Sequence, residues 1–338
     1  MKIAIHHTPG SFSDRWISYC KENDIAFKIV NCYDNNIVSI LGDCDAFMWH
    51  HHHANYKDVL FAKQLLYSLQ ASGKKVFPDF NTTWHFDDKV GQKYLLESIG
   101  APIVPSYVFY TKKDAFNWIE KNTFPKVFKL RGGAGATNVK LVKTKSEARK
   151  LAKRAFGRGF SQFNRWNNLS ERIRRFKEGK DNIIGILKGI GRLFLPTEFA
   201  KMYIREKGYV YFQEFIPNNN CDTRIVVVGG KAAAERRMVR ENDFRASGSG
   251  KFSYDNINIE AIKIALDVAK SLKLQSVAFD FVEDKNNNPL IIEMSYGFGT
   301  SGIDNAPGYW DSSIHWHKEK FNPQEWMVEE LIKGQERH

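Results

Sequence analysis

Val277-Ala-Phe-Asp280-Phe-Val282 and Leu290-Ile-Ile-Glu293-Met-Ser295 each set one carboxylate inside an otherwise apolar run. The polar stretch Asp284–Asn288 between them reads as a turn, so the two runs are expected to pair as a hairpin. Such pairing would bring Asp280 and Glu293 onto neighbouring strands. A hard cation such as Mg²⁺ takes oxygen ligands and keeps water or phosphate oxygens in its shell, so one or two strand-borne carboxylates suffice to hold it. The alternative is a pair of acids on the outer face of an edge strand. Residues elsewhere in the chain decide between the two.

Lys129 ends the run Val127-Phe-Lys129-Leu130, immediately before Arg131-Gly-Gly-Ala-Gly-Ala-Thr-Asn138. Glycines let backbone N–H groups approach a phosphate closely, and a lysine at the loop entry adds charge. The spacing is neither that of a P-loop nor of a dinucleotide fingerprint, so by itself the loop could equally be a solvent hairpin.

Outward from these motifs the chain alternates strands and helices. Residues 2–5, 27–30, 46–49 and 75–77 read as strands, with helices ending near Lys21 and spanning about 59–72, which argues for a parallel α/β lobe. A helix is expected from Asp87 to Ile99, and another over 114–121 capped by Thr111. Strands are expected at 126–130, 139–142, 209–215, 222–228 and 231–239, with Gly229-Gly230 as a hairpin turn. Ile259, Ile262, Leu266, Ala269 and Leu272 recur at helical spacing. Asn322, Pro323 and Glu325 read as N-cap, first-turn proline and N3 acid of a last helix.

Composition narrows the class. With 43% hydrophobic and 14% aromatic residues in 338, the chain can fill two or three cores and is not a disordered polymer. No apolar run approaches the roughly 18 residues of a spanning helix, and Met1-Lys-Ile-Ala-Ile5 reads as a strand, not a signal peptide. Cys20, Cys32, Cys44 and Cys221 form no metal-finger spacing and fit free thiols in a reducing cytoplasm. Between Arg149 and Arg192 stand 13 Lys and Arg against three acids, so nearly all of the net +12 charge belongs to one segment. This segment fits a lid, a site for an acidic partner such as an anionic substrate, or a membrane-surface patch, and Ile183–Leu195 adds apolar residues beside its charges. No recognised module frames this charge for nucleic acid. His50–His53 follow a strand and cannot all face one metal, so loop or substrate contacts are expected of them.

Taken in order, Lys89, Lys129 with its glycine loop, Gln213-Glu-Phe-Ile216, Asp222-Thr-Arg224, Asn242-Asp-Phe-Arg245-Ala-Ser-Gly-Ser-Gly250 and the two carboxylate strands resemble the ATP-grasp superfamily. The likeness is greatest to its ribosomal-protein glutamate ligase-like (RimK-like) branch, and runs from Phe77 to Gly302 with an interruption at the basic segment. It implies a mixed α/β and α+β architecture: an ATP-grasp fold with an N-terminal Rossmann-like α/β lobe and two lobes sandwiching ATP. The expected division is an N-terminal domain over 1–80, a small ATP-grasp subdomain over 81–148, the basic insert 149–207 and a C-terminal subdomain over 208–338. By the same resemblance, Lys89 and Lys129 contact ATP phosphates under a loop containing Gly132, Gly133 and Gly135. Gln213, Glu214, Phe215 and Ile216 form the adenine hinge, and Asp222 lies at the ribose. Arg224 and Arg245 face the reacting groups, while Asp280, Glu293 and Ser295 hold Mg²⁺, or Mn²⁺ in its place. Ser295 departs from the family's usual asparagine, and the loop has Ala136 and Asn138 where glycines are usual.

The activity so implied is an ATP-dependent carboxylate–amine ligation through an acylphosphate, with a sugar acid or other small carboxylate as one substrate and glycan tailoring as its setting. A small-molecule kinase on the same scaffold and a non-catalytic nucleotide-binding protein are the alternatives. The expected location is cytoplasmic, with peripheral contact at the inner membrane surface through 149–207.

Overall fold

The chain, seen in a computed structural model, is described here over residues 1–133, 138–161, 182–194, 205–240 and 243–333, with residues 169, 172, 173, 176 and 202 besides. Ile3–His6 (β1), Phe27–Val30 (β2), Ala46–Trp49 (β3) and Lys75–Phe77 (β4) form a parallel sheet in the order β2-β1-β3-β4. β1 and β3 are buried at every residue, which is why they read as unbroken apolar runs. The helices Phe12–Glu22 and Tyr56–Ala71 begin where the Ser11 and Asn55 side chains accept backbone N–H groups of Ser13 and Lys57.

A second sheet is antiparallel. Ser106–Phe109 (β5), Lys126–Lys129 (β6), Val139–Val142 (β7) and Val210–Glu214 (β8) run in the order β5-β8-β6-β7. Its inner face packs Phe128, Leu130, Val142, Val210 and Phe212 against Ala115, Ile119, Ala148 and Ala152 of the helices Lys112–Lys121 and Lys145–Ala155. Because β8 pairs with β5 and β6, the chain leaves this lobe after Glu214, not at the expected residue 208. The helix Lys89–Ser98, expected in the same lobe, instead sends Leu96 into the core of the third sheet.

That third sheet contains Cys221–Val228 (β9), Lys231–Met238 (β10), Phe252–Ser253 (β11), Ser276–Glu283 (β12), Pro289–Ser295 (β13), Tyr309–Trp310 (β14) and Trp316–His317 (β15), in the order β13-β12-β9-β10-β14-β15 with β11 beside β10. Period-two alternation splits it cleanly. Ile225, Val227, Val277 and Phe279 pack on Ile262, Ala265, Leu266 and Ala269 of the helix Ile259–Ser271. Val226, Val228 and Ala278 face the other way, into a core shared with Ile3, Phe12, Trp16 and Phe77 of the N-terminal lobe. The N-terminal lobe is therefore fused to the large sheet through one apolar core.

Phe321, Met327, Val328 and Leu331 close that shared core from the last helix, Pro323–Lys333, and the segment before it. The Asn322 side-chain carbonyl is buried with no hydrogen-bond partner among the described residues, so it does not cap this helix as the sequence suggests. All four cysteines are buried free thiols. No helix among the described residues is long and apolar enough to cross a membrane. Most of the basic insert lies outside the described residues; within it, Ile183–Phe194 is helical and exposes Ile183, Ile184, Leu187 and Ile190.

Because Phe321 is 1% exposed where the two lobes share a core, Phe321→Ala should cost about 3–5 kcal/mol. Urea unfolding monitored by tryptophan fluorescence checks this, and a loss below about 1 kcal/mol would show that the C-terminal segment does not complete the core.

Candidate active site

The register of the large sheet places Asp280 opposite Glu293 on β13 and opposite Arg224 on β9. Arg224 donates from Nε to Asp280 Oδ1 at 2.8 Å and from Nη2 to Oδ2 at 3.0 Å. Arg237, from β10, donates to the same Oδ2 at 2.7 Å and grips Asp222 with two bonds of 2.7 and 2.6 Å. Burial opposes ionisation of Asp280, but the two guanidinium groups outweigh it and hold the carboxyl well below the usual carboxylate range. Asp280 is therefore a fixed anion inside a cationic cage. Glu293 is more open, at 31% side-chain exposure, and lies 3.3 Å from Lys89 Nζ.

Two lysines approach from the opposite side. Lys89 heads its helix, with Asp88 accepting from Gly91 N–H as N-cap, and donates to the Gly133 carbonyl at 2.8 Å. Asp87 accepts from Gly133 N–H at 2.6 Å, and Arg131 donates to Asp88 at 2.6 Å, so the helix head and the glycine loop are laced together. Burial pushes the Asp87 carboxyl up to about 6 despite Lys89 beside it. Gly133 adopts a φ of +104°, and a Cβ there would lie 2.4 Å from the Asn138 amide, so glycine is required at this position. Lys129 ends β6 only 4% exposed. Burial lowers its pKa to about 8, with Glu293 and Asp280 pulling it back up and Lys89 pushing it further down. Buried ammonium groups around so few carboxylates make a strong anion site.

A cleft of about 230 Å³ joins these groups. Lys89, Lys129, Arg224, Arg237 and Arg245 line it together with Asp222, Asp280, Glu293 and Ser295. Its far wall is the segment Gln213–Ile216, where the chain crosses from the small sheet to the large one. There Gln213 donates to Ser106 at 3.0 Å, Glu214 accepts from Lys126 at 2.5 and 2.6 Å, and Phe215 meets Phe244 edge-on. Arg245 pairs with Asp243, and the Ser295 hydroxyl donates to the Gly297 carbonyl at 2.8 Å. Asp280 Oδ1 and the Glu293 carboxylate supply hard oxygens at one end of the cleft, with arginines behind Asp280 to orient it, a donor set that suits Mg²⁺. Of the expected site residues, Gly132 lines a separate depression with His53 and Tyr209, and Gly135 and Asn242 lie outside the described residues.

Sequence reasoning misses Arg237, Glu235 and Asp87. Arg237 has no local sequence signal; only in the folded sheet, where it is 5% exposed, does its need for a buried anionic partner become visible. The His50–His53 run separates into individual structural contacts. His50 stacks on Phe12 at 3.8 Å, the His51 ring nitrogen shares a hydrogen with Thr83 Oγ1 at 2.7 Å, and His53 packs edge-on to Phe86. Burial lowers the pKa of both His50 and His53 to about 3. Among the described residues no group of His, Cys, Asp and Glu forms a metal cluster of three or more.

Residues 200–309 match the RimK-like ATP-grasp domain. A probable alpha-L-glutamate ligase 2 from Pseudoalteromonas atlantica is 31% identical over 130 residues, 36% of this chain and 43% of that protein. A ribosomal protein bS6–L-glutamate ligase from Escherichia coli is 33% identical over the same shares of each. The chain thus spans under half the length of these curated relatives. Among solved structures, the RimK domain ATP-grasp protein of Sphaerobacter thermophilus aligns over 99% of this chain and 100% of its own, with TM-score 0.60 and 14% identity. The D-alanine–D-alanine ligase of Bacillus anthracis in complex with ATP aligns over 89% and 88%, with TM-score 0.55 and 13% identity. Both likenesses are of fold. The chain has the ATP-grasp fold, and its residues 200–309 are similar to the RimK-like ATP-grasp domain.

Proposed function

We propose that this protein is an ATP-dependent ligase that joins a carboxylate to an amine through an acylphosphate, releasing ADP and phosphate. The observation that carries this is the convergence of Lys89, Lys129, Arg224, Arg237 and Arg245 with Asp280 and Glu293 on one cleft. Phosphoryl transfer needs little covalent help from a protein; it needs positioning and compensation of charge on the transferring oxygens. Mg²⁺ held by Asp280 and Glu293 would neutralise the ATP phosphates and polarise the γ-phosphorus. Lys89 and Lys129 then hold the phosphate oxygens, and the Gln213–Ile216 segment offers backbone groups to the adenine. Arg224, at the acceptor end of the cleft, orients the attacking carboxylate and stabilises the charge of the acylphosphate. The printed names of the relatives support glutamate as one substrate.

Finer elements of the proposal rest on surface features. Peripheral contact with an anionic membrane on the cytoplasmic side is supported by the exposed Ile183, Ile184, Leu187 and Ile190 beside a basic stretch. Co-sedimentation with phosphatidylglycerol vesicles should then occur at low salt and weaken as salt rises; equal recovery with neutral phosphatidylcholine vesicles would remove the electrostatic part of this reading.

The decisive assay is ADP release from a panel of acids crossed with amines. Release should require one of each, and should drop at least ~100-fold in Asp280→Asn and Glu293→Gln. Turnover with an alcohol alone would instead indicate a kinase, and activity surviving in both variants would remove the metal assignment.

Lys129 adds a pH signature. A lysine whose pKa is lowered to about 8 is charged below that pH and neutral above it, so ATP affinity should be flat towards neutrality and weaken as pH rises past 8. Lys129→Arg, which keeps its charge throughout, should abolish that alkaline limb. Titration calorimetry from pH 6.5 to 9.5 reads the difference, and identical profiles for the two proteins would exclude Lys129 from the phosphate site.

A further inference from the structure

Glu235 sits in β10 opposite Arg224, after the small buried run Ala232-Ala-Ala234. It is 2% exposed, and its Oε2 is buried with no hydrogen-bond partner among the described residues. Buried carboxylate oxygens are costly to leave unbonded, and one on a residue that lines a cavity marks a place for a donor. The cavity is there. Glu235 lines a hollow of about 340 Å³ with Ser247, Ser249, Phe252, Gly299 and Ser301. Arg224, Arg237, Ala246 and Ser247 line both this hollow and the nucleotide cleft, so the two spaces meet at Arg224.

The surroundings preserve this carboxylate. A Cβ on Gly302 would lie 1.8 Å from Glu235 Oε2 and 2.7 Å from the Phe252 ring. Any side chain at 302 would therefore displace the acid. The charged groups that act on Glu235 are Arg224 and Arg237, which favour its ionised form, and Asp280 and Asp222, which oppose it. Burial is the largest influence and brings its pKa up to about 7, where an acid can both release and accept a proton near neutrality.

We propose that Glu235 binds the amino group of the amine substrate in this second cavity and removes its proton before attack. The inference rests on the ligase reading above and assigns that reaction its amine subsite. Ionised Glu235 takes one proton from the substrate ammonium, and the freed nitrogen lone pair attacks the acyl carbon of the acylphosphate. The C–N bond forms and the acyl C–O bond to phosphate breaks, its electron pair leaving with the phosphate. A second nitrogen proton passes to that phosphate, and the third stays on the amide. Glu235 ends protonated and returns its proton to solvent.

The test compares two nucleophiles of different basicity on the full chain with Mg²⁺-ATP. Methylamine is an ammonium ion at neutral pH and needs a base, whereas hydroxylamine is mostly neutral and traps acylphosphates as hydroxamates. L-Glutamate is the first carboxylate probe, followed by the acids of the panel. Glu235→Gln should lower turnover with methylamine at least ~10-fold more than turnover with hydroxylamine. Gly302→Ala, which acts on the same carboxylate from outside, should shift the ratio in the same direction. Glu235→Gln should also raise the thermal midpoint at pH 8, since it removes a buried charge whose Oε2 has no hydrogen-bond partner among the described residues. Equal losses with both nucleophiles, or no loss with either, would overturn the assignment of Glu235. Absence of hydroxamate from the wild-type protein with every acid would overturn the ligase reading itself, and the amine subsite with it.

Discussion

The buried bonds between Asp280 and the guanidinium groups of Arg224 and Arg237 are the constraint on which the site depends. A carboxylate and two arginines inside an apolar sheet are tolerable only if each charge meets its partner, and removal of one partner typically costs about 3–5 kcal/mol. The network spans the adjacent strands β9, β10 and β12, so it also fixes their register: a slip of one residue would turn Asp280 into the apolar core and Phe279 into the cleft. Once the register is set, Asp222, Glu235 and Glu293 have fixed places. The substrate groups are then met by side chains that do not need to reorganise during reaction.

The other half of the site arrives by a different route. Lys129 is carried at the end of β6 on a separate sheet, and Lys89 by a helix whose far end packs on the large sheet. Asp87, Asp88 and Arg131 tie these pieces through the glycine loop. The cleft thus forms between lobes joined at Gln213–Ile216, with cations on both walls. The N-terminal lobe shares its core with the large sheet, whereas the small sheet packs a core of its own.

Much of this was legible in the sequence because local pattern and tertiary role agree. β2, β3 and β4 fall at the expected positions, β3 as an unbroken apolar run, and the Asp280–Glu293 hairpin is visible from its turn. What escaped depends on distant partners. β8 reads like the start of the C-terminal lobe, yet it pairs with β5 and β6, far apart in the chain. The Lys89 helix begins two residues later than its polar start suggests, because Asp87 adopts a φ of 56° and its neighbour Asp88 caps the first turn. Asn322 resembles an N-cap by type, but its side-chain oxygen accepts no hydrogen bond among the described residues. Arg237 and Glu235 look like an ordinary charged pair on a strand, and only the sheet shows that one pairs with Asp222 and Asp280 and the other lines a second cavity. Ser295 lines the cleft as expected while its proton is committed to Gly297, which leaves its oxygen as an acceptor.

The acceptor side sharpens the functional picture. The proposed nucleotide cleft alone is compatible with several phosphoryl-transfer chemistries, whereas a second cavity that meets it at Arg224, lined by a carboxylate whose Oε2 has no hydrogen-bond partner among the described residues, supports the proposed amine subsite. The central claim is that the two walls grip one Mg²⁺-ATP. A crystal structure with a non-hydrolysable ATP analogue and Mg²⁺ tests it most directly. Phosphate oxygens should lie between Lys89 and Lys129, the metal on Asp280 and Glu293, and adenine against Gln213–Ile216; an analogue bound elsewhere, or a metal that leaves Asp280 untouched, would contradict this arrangement.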